Sequence, residues 1–328
     1  MLERSEAVSA LSWGNKGHVK TYATSDQDRL PLREMLRIWS QRSQGRSIIK
    51  LGIYGFSCIL LAVGILASQT WPSILFFQML LGLAYAHGLE LTHEALHHNM
   101  FERNIYNRIA GFLTGAPMLV SYTHYRFQHL HHHRFIGTDK DKELFDYDPK
   151  SLRNPITFVL RALNFRRVPR FFMTLFEMWR GRYPDVFTTD ARRRDVLIEY
   201  SLIGGFFIVA VLVTVLGITD IFLLLWIIPW LVFGEAFHFI IELPEHLGCD
   251  KSRRDILLNT RTYRTNSIYY YIINGNNYHI EHHLYPYVAV QNLPSLSAYL
   301  EAEGQKPVPS TFAAFREVFQ GQKHDGRG

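Results

Sequence analysis

Along four stretches of the chain polar residues almost disappear, and each stretch is long enough to cross the apolar core of a bilayer. They run from Ile48 to Ala67, Pro72 to Leu89, Val196 to Gly217 and Ile221 to Phe239. A helix rises about 1.5 Å per residue, so spanning the hydrocarbon takes about 20 apolar residues. Ser68, Gln69, Thr70 and Trp71 join the first pair, and Ile218, Thr219 and Asp220 join the second. Links this short force each pair into a helical hairpin. Buried helices of a soluble protein would carry amphipathic faces, which these runs lack. The pattern predicts an all-α integral-membrane protein with four transmembrane helices in two hairpins.

Two further segments are apolar but not spanning. Ile105 to Val120 is short and broken by Pro117, and Ile156 to Trp179 mixes Phe, Leu and Met with Arg161, Arg166, Arg167 and Arg170. Both are expected to lie at the membrane surface, with the arginines reaching phosphate headgroups. No internal repeat or long linker divides the chain. One domain is expected, with segments 1–47, 48–89 (first hairpin), 90–195, 196–239 (second hairpin) and 240–328. The residues from Gly321 onward are expected to be a frayed tail.

Charge adds an orientation. The chain has 328 residues, 48% of them hydrophobic, and its 35 basic and 29 acidic residues lie mostly between the apolar blocks. Arg29, Arg33, Arg37, Arg42, Arg46 and Lys50 precede or open the first run, and Arg192, Arg193 and Arg194 precede the third. Neither hairpin link holds a Lys or Arg. The positive-inside rule then puts both termini and the central segment in the cytoplasm. The first residues lack a basic-then-apolar leader pattern, so insertion is expected to rely on the internal runs. Two cysteines, Cys58 and Cys249, provide no disulfide framework. The basic surface fits lipid headgroups or an acidic carrier or redox protein; no nucleic-acid partner is expected.

The chemistry lies in the histidines. Ten of the 16 fall into three clusters: His93, His97 and His98; His129, His131, His132 and His133; His279, His282 and His283. Residues three and four apart share one face of a helix. His93 with His97, His129 with His132 and His133, and His279 with His282 and His283 are each spaced to converge on a metal, whereas His98 and His131 point elsewhere. Imidazole suits iron, copper, nickel and zinc. His93, Glu94 and His97 also spell HExxH, the zinc-peptidase pattern in which Glu is the general base. One catalytic zinc takes three protein ligands, so that reading leaves two clusters without a purpose. Eight ring nitrogens suit two metals.

The order HxxxHH, HxxHH, HxEHH, interleaved with two hairpins, resembles the membrane fatty-acid desaturase and hydroxylase superfamily. The stretch Asn276 to Pro286 (NNYHIEHHLYP) is its most specific part, and the likeness runs from about Ile48 to Leu300. Glu94 stands where many relatives have Asp. The resemblance implies two non-haem irons, O2 as co-substrate, a separate electron donor such as ferredoxin, and a fatty acyl lipid substrate drawn from the bilayer. Its implied ligands are His93, His97, His129, His132, His133, His279, His282 and His283, with His246 as an extra ligand after the fourth run. Glu94, Glu242 and Glu281 are expected to fix the ligand rings from behind, and Asp139 and Asp141 either do the same or are solvated. Desaturation is the favoured reaction. Hydroxylation or ketolation of a lipid or carotenoid-like substrate is the alternative. A membrane metal transporter would line its spans with ionisable residues, which here cluster at the span ends.

Overall fold

With no water in the bilayer core to satisfy them, backbone polar groups there must pair within the segment, and helices result. The computed structural model describes residues 31–141, 148–250, 254–304 and 308–320. His18, Arg29, His324, the chain start and the tail from Gly321 lie outside these. The helices are α1 (Leu32–Trp39), α2 (Gln44–Ala67), α3 (Trp71–Leu96), α4 (Asn104–Gly115), α5 (Tyr122–Phe135), α6 (Pro155–Ala162) and α7 (Arg167–Trp179). They continue with α8 (Asp190–Val215), α9 (Leu223–His246), α10 (Ile256–Asn259), α11 (Ser267–Ile272), α12 (His279–Leu284), α13 (Leu293–Ala302) and α14 (Thr311–Gln320). Among the described residues the only β pairing is two isolated bridges, Thr262 with Tyr278 and Arg264 with Ser310.

Four helices, α2, α3, α8 and α9, are long and apolar enough to cross a membrane. All four run past their apolar blocks at the end opposite the hairpin links. Helix α2 begins at Gln44, α3 continues to Leu96, α8 begins at Asp190 and α9 continues to His246. These polar extensions build the site. Outward residues such as Ile48, Phe56, Ile59, Leu202 and Leu212 are exposed, as lipid-facing side chains would be.

Helix α3 is the centre of the bundle. At Gly82 an added Cβ would lie 2.4 Å from the Pro229 carbonyl oxygen and 2.5 Å from Phe233 Cβ, so only glycine lets α3 and α9 touch there. Helix α9 starts π-helical, over Leu223–Ile227 and Pro229–Gly234. Pro229 has no N–H to give, and carbonyls in this stretch accept from α3 instead. Gln78 Nε2 donates to Leu224 O at 2.8 Å, and the Tyr85 hydroxyl to Leu225 O at 2.6 Å.

Helix α8 positions the second histidine cluster. Buried Glu199 accepts from Thr123 N (2.8 Å), Thr123 Oγ1 (2.7 Å) and Ser121 Oγ (2.7 Å) at the start of α5, while Arg108 of α4 pairs with it from the other side at 3.0 Å. At the far edge, Leu36 and Trp39 of α1 pack on Val288, Leu293, Leu296 and Leu300.

The segment from Ile156 expected at the membrane surface forms two helices, α6 and α7, separated at Asn164, whose φ is +42°. Helix α7 buries Phe171, Leu175 and Met178 and leaves Met173, Phe176 and Trp179 exposed. Arg167, expected at a headgroup, instead pairs with buried Glu235 of α9. An unpaired Glu235 in the span would be costly, and Arg167 supplies its counter-charge.

Candidate metal centre

All nine expected ligands come together at the polar end of the bundle. His93 belongs to α3 and His97 caps it; His129, His132 and His133 lie on α5, His246 ends α9, and α12 supplies His279, His282 and His283. They form two adjoining groups, one of His93, His97, His129, His133 and His282, the other of His132, His246, His279 and His283. The expectation that each cluster serves one metal is corrected. In α5 the residues four apart, His129 and His133, join the first group, while His132 turns to the second. In α12 the pair four apart, His279 and His283, joins the second group and His282 the first. Successive helical residues turn about 100°, so positions i+3 and i+4 fall on opposite flanks of residue i. Each helix is thereby shared between both groups.

Inside each group the Nε2 atoms face one another. His93 lies 2.8 Å from His129, His129 2.9 Å from His133, and His133 3.1 Å from His282. In the second group His132 lies 3.2 Å from His246, His246 2.9 Å from His279, and His279 3.2 Å from His283. Metal–nitrogen bonds of about 2.1 Å meeting at right angles set neighbouring nitrogens ~3.0 Å apart, which matches these edges. Burial first, then the neighbouring imidazoles, holds His97, His129, His133, His279, His282 and His283 well below their ordinary value of 6.5. The rings are therefore neutral near pH 7, and facing lone pairs at this distance repel unless a cation sits between them. The residues fit two metal ions.

The far sides of the rings show how they are held. His132 donates from Nδ1 to buried Asp141 at 2.9 Å, His93 from Nδ1 to Asn276 Oδ1 at 2.9 Å, and His246 from Nδ1 to the Asn259 carbonyl at 3.0 Å. Each acceptor fixes the proton on Nδ1 and leaves the Nε2 lone pair for a metal. Asn276 is in turn held by Glu90, whose other oxygen lies 3.5 Å from His238. Asn276, Asn259, Glu90 and Glu245 were not singled out from the sequence. Position next to His279 and His246 was the available signal for Asn276 and Glu245, and a charge inside an apolar run was the signal for Glu90.

The three carboxylates expected behind the rings are placed differently. Glu94 accepts from Lys50 at 2.7 Å and Asn274 at 2.9 Å, Glu242 pairs with His238 at 3.1 Å, and Glu281 accepts from Thr262. Lys50, near the start of α2, reaches Glu94 because α2 and α3 are antiparallel neighbours. That pairing also leaves Glu94 unsuited to act as the general base of a zinc peptidase. His98, with a φ of +59°, and His131, packed on Phe135, lie outside both groups. His87 meets the Ile272 carbonyl at 2.8 Å, His124 the Tyr200 hydroxyl at 2.6 Å, and His238 sits between Glu90 and Glu242. Among the described residues, none of these three joins a group with the spacing of a metal site.

Fold and site together define a helical membrane protein with a histidine-built candidate metal centre where its spanning helices end. The comparisons with known proteins make the class narrower. The chain belongs to the fatty acid desaturase family, whose model matches residues 69–314. The match begins after α2 and runs into α14, so it starts later and ends later than the likeness read from the sequence. The chain is also similar to the dihydrorhizobitoxine desaturase of Bradyrhizobium elkanii, with 27% identity over 218 residues, 62% of this chain and 61% of that protein. The chain thus spans less than two thirds of that relative's length.

Proposed function

We propose that this protein is an O2-dependent membrane oxidase that introduces a double bond into a fatty acyl chain of a lipid, with two irons held by the nine histidines. The observation that carries this reading is the convergence of nine histidine rings into two adjoining groups with metal-sized nitrogen spacings. Family membership supports an oxidoreductase, and the imidazole set suits iron.

When bound, the iron pair supplies the activation of O2 and the oxidising power to break an unactivated C–H bond. The chain's own residues do the rest. His93, His132 and His246 present Nε2 because Asn276, Asp141 and the Asn259 carbonyl hold their Nδ1 protons. Burial excludes water from a site whose chemistry would otherwise attack it. The polar ends of α3 and α9 bring the centre to the membrane face, where an acyl chain enters from lipid and a separate one-electron donor docks from solution. The overall change removes two hydrogens from the acyl chain and, with two electrons and two protons, reduces O2 to two waters. The basic residues before α2 and α8 support a cytoplasmic site and cytoplasmic termini.

Mass spectrometry of lipids from cells with and without the protein tests the reaction. A product lighter by two hydrogens is expected, and its absence in cells that hold iron-loaded protein overturns desaturation. A product heavier by one oxygen assigns hydroxylation instead.

A further inference from the structure

The two histidine groups are unequal: five rings in the first, four in the second. Each of the two shared helices gives two rings to one group and one to the other. The asymmetry therefore comes from the spans, since α3 and its cap contribute His93 and His97 whereas α9 contributes only His246. Beside His246 stands Glu245, also buried, with a carboxylate oxygen 3.5 Å from His279 Nε2. The candidate ligand atoms of Glu245, His246 and His279 all lie within 4.8 Å of one another.

The side of the ring decides what this carboxylate does. A group that orients a ligand histidine sits at Nδ1, as Asp141 does for His132, Asn276 for His93 and the Asn259 carbonyl for His246. Glu245 sits instead at Nε2 of His279, the nitrogen that faces His246 and His283 at 2.9 and 3.2 Å. Among the described residues, Nδ1 of His279 meets no hydrogen-bond partner. The other acid near the end of α9, Glu242, is turned to His238.

We propose that Glu245 is a metal ligand, the fifth of the second group, so that one metal position is all-imidazole and the other mixes four imidazoles with a carboxylate. Carboxylate oxygen is a hard anionic donor that suits iron, and it offsets one positive charge at one position only. The two irons are then electronically distinct.

This inference rests on the two-iron reading above, and the experiment separates the two. Iron per chain and the iron Mössbauer spectrum are measured on purified, monodisperse wild type, Glu245→Gln and Glu242→Gln. Wild type is expected to hold about two irons in two unequal environments. Glu245→Gln is expected to fall to about one iron, or to keep both with one environment changed and the other untouched. Glu242→Gln is expected to match wild type. Two irons and an unchanged spectrum in Glu245→Gln overturn the inference and leave the two-iron reading standing; so does an equal loss in Glu242→Gln. Wild-type protein without iron overturns the two-iron reading itself. Should Glu245→Gln fail to fold, Glu245→Asp takes its place: with the carboxylate drawn back by one methylene, one iron environment is expected to change and the other to stay, and an unchanged spectrum with two irons overturns the inference.

Discussion

His282 and His131 carry the same ring on neighbouring helices, and their surroundings give them opposite consequences. His282 is buried and meets His133 at 3.1 Å; His131 packs on Phe135 outside both groups. His282→Ala and His246→Ala are each expected to lower iron content by about half or more, whereas His131→Ala and His98→Ala retain close to the wild-type amount. Elemental analysis of folded, monodisperse protein reads this directly, and full iron in His246→Ala removes that residue from the ligand set. Asp141→Asn keeps the shape but weakens the acceptor behind His132. An expected 10–100-fold loss of metal affinity follows from the usual cost of such partners, measured by competition with a chelator. Unchanged affinity means Asp141 does not set the ring.

Helices α5 and α12 work because each is gripped from outside. The start of α5 is fastened by Glu199 of α8, and that carboxylate is buried with its donors and Arg108 around it. Glu199→Ala leaves these donors unpaired and is expected to cost roughly 3 kcal/mol, seen as a lower melting midpoint and reduced iron content. Glu199→Gln keeps some acceptor capacity and is expected to fall between. A wild-type midpoint in Glu199→Ala contradicts the fastening role. The α-helical spacing of the clusters was readable in the sequence, and so was the existence of the spans. The splitting of α5 and α12 between the two histidine groups was not, because periodicity says which residues share a face but not what stands opposite that face.

The chain as a membrane protein makes two further predictions. Reporter fusions after Ser47, Lys150 and Gly328 are expected to read cytoplasm, and fusions at Gln69 and Thr219 the opposite side. A cytoplasmic signal at Gln69 breaks the first hairpin. The buried rings also set a direction with pH. In the metal-free protein His129, His279, His282 and His283 are held below 6.5 by burial. As pH falls below about 6.5, the unfolded chain binds protons that the folded chain refuses, so stability falls with pH. The melting midpoint of the metal-free protein in detergent is therefore expected to drop from pH 7 toward pH 5, and a flat or rising midpoint contradicts the burial of neutral rings.

Hydropathy alone was enough for the four spans, and helical spacing for the eight candidate histidines of the three clusters, because both signals are local and repeat within a few residues of the chain; His246 was named only through the family resemblance. Family membership was legible for the same reason, in the run from Asn276 to Pro286. The partners of Glu94 and Glu281 were not legible. A carboxylate takes whichever donor the packed helices bring to it, and Lys50 and Thr262 are 44 and 19 residues away, whereas His238, four residues before Glu242 on the same helix, was within local reach. Asp141 and Asn276 sat close to ligands in the sequence, yet only the packed chain shows that they stand behind the rings of His132 and His93 while Glu245 stands in front of His279. The side of a ring on which a neighbour lies depends on helix rotation and crossing, which are set by contacts such as Gly82 on Pro229 and Glu199 on Thr123. Those contacts join residues far apart in the chain, and no local pattern records them.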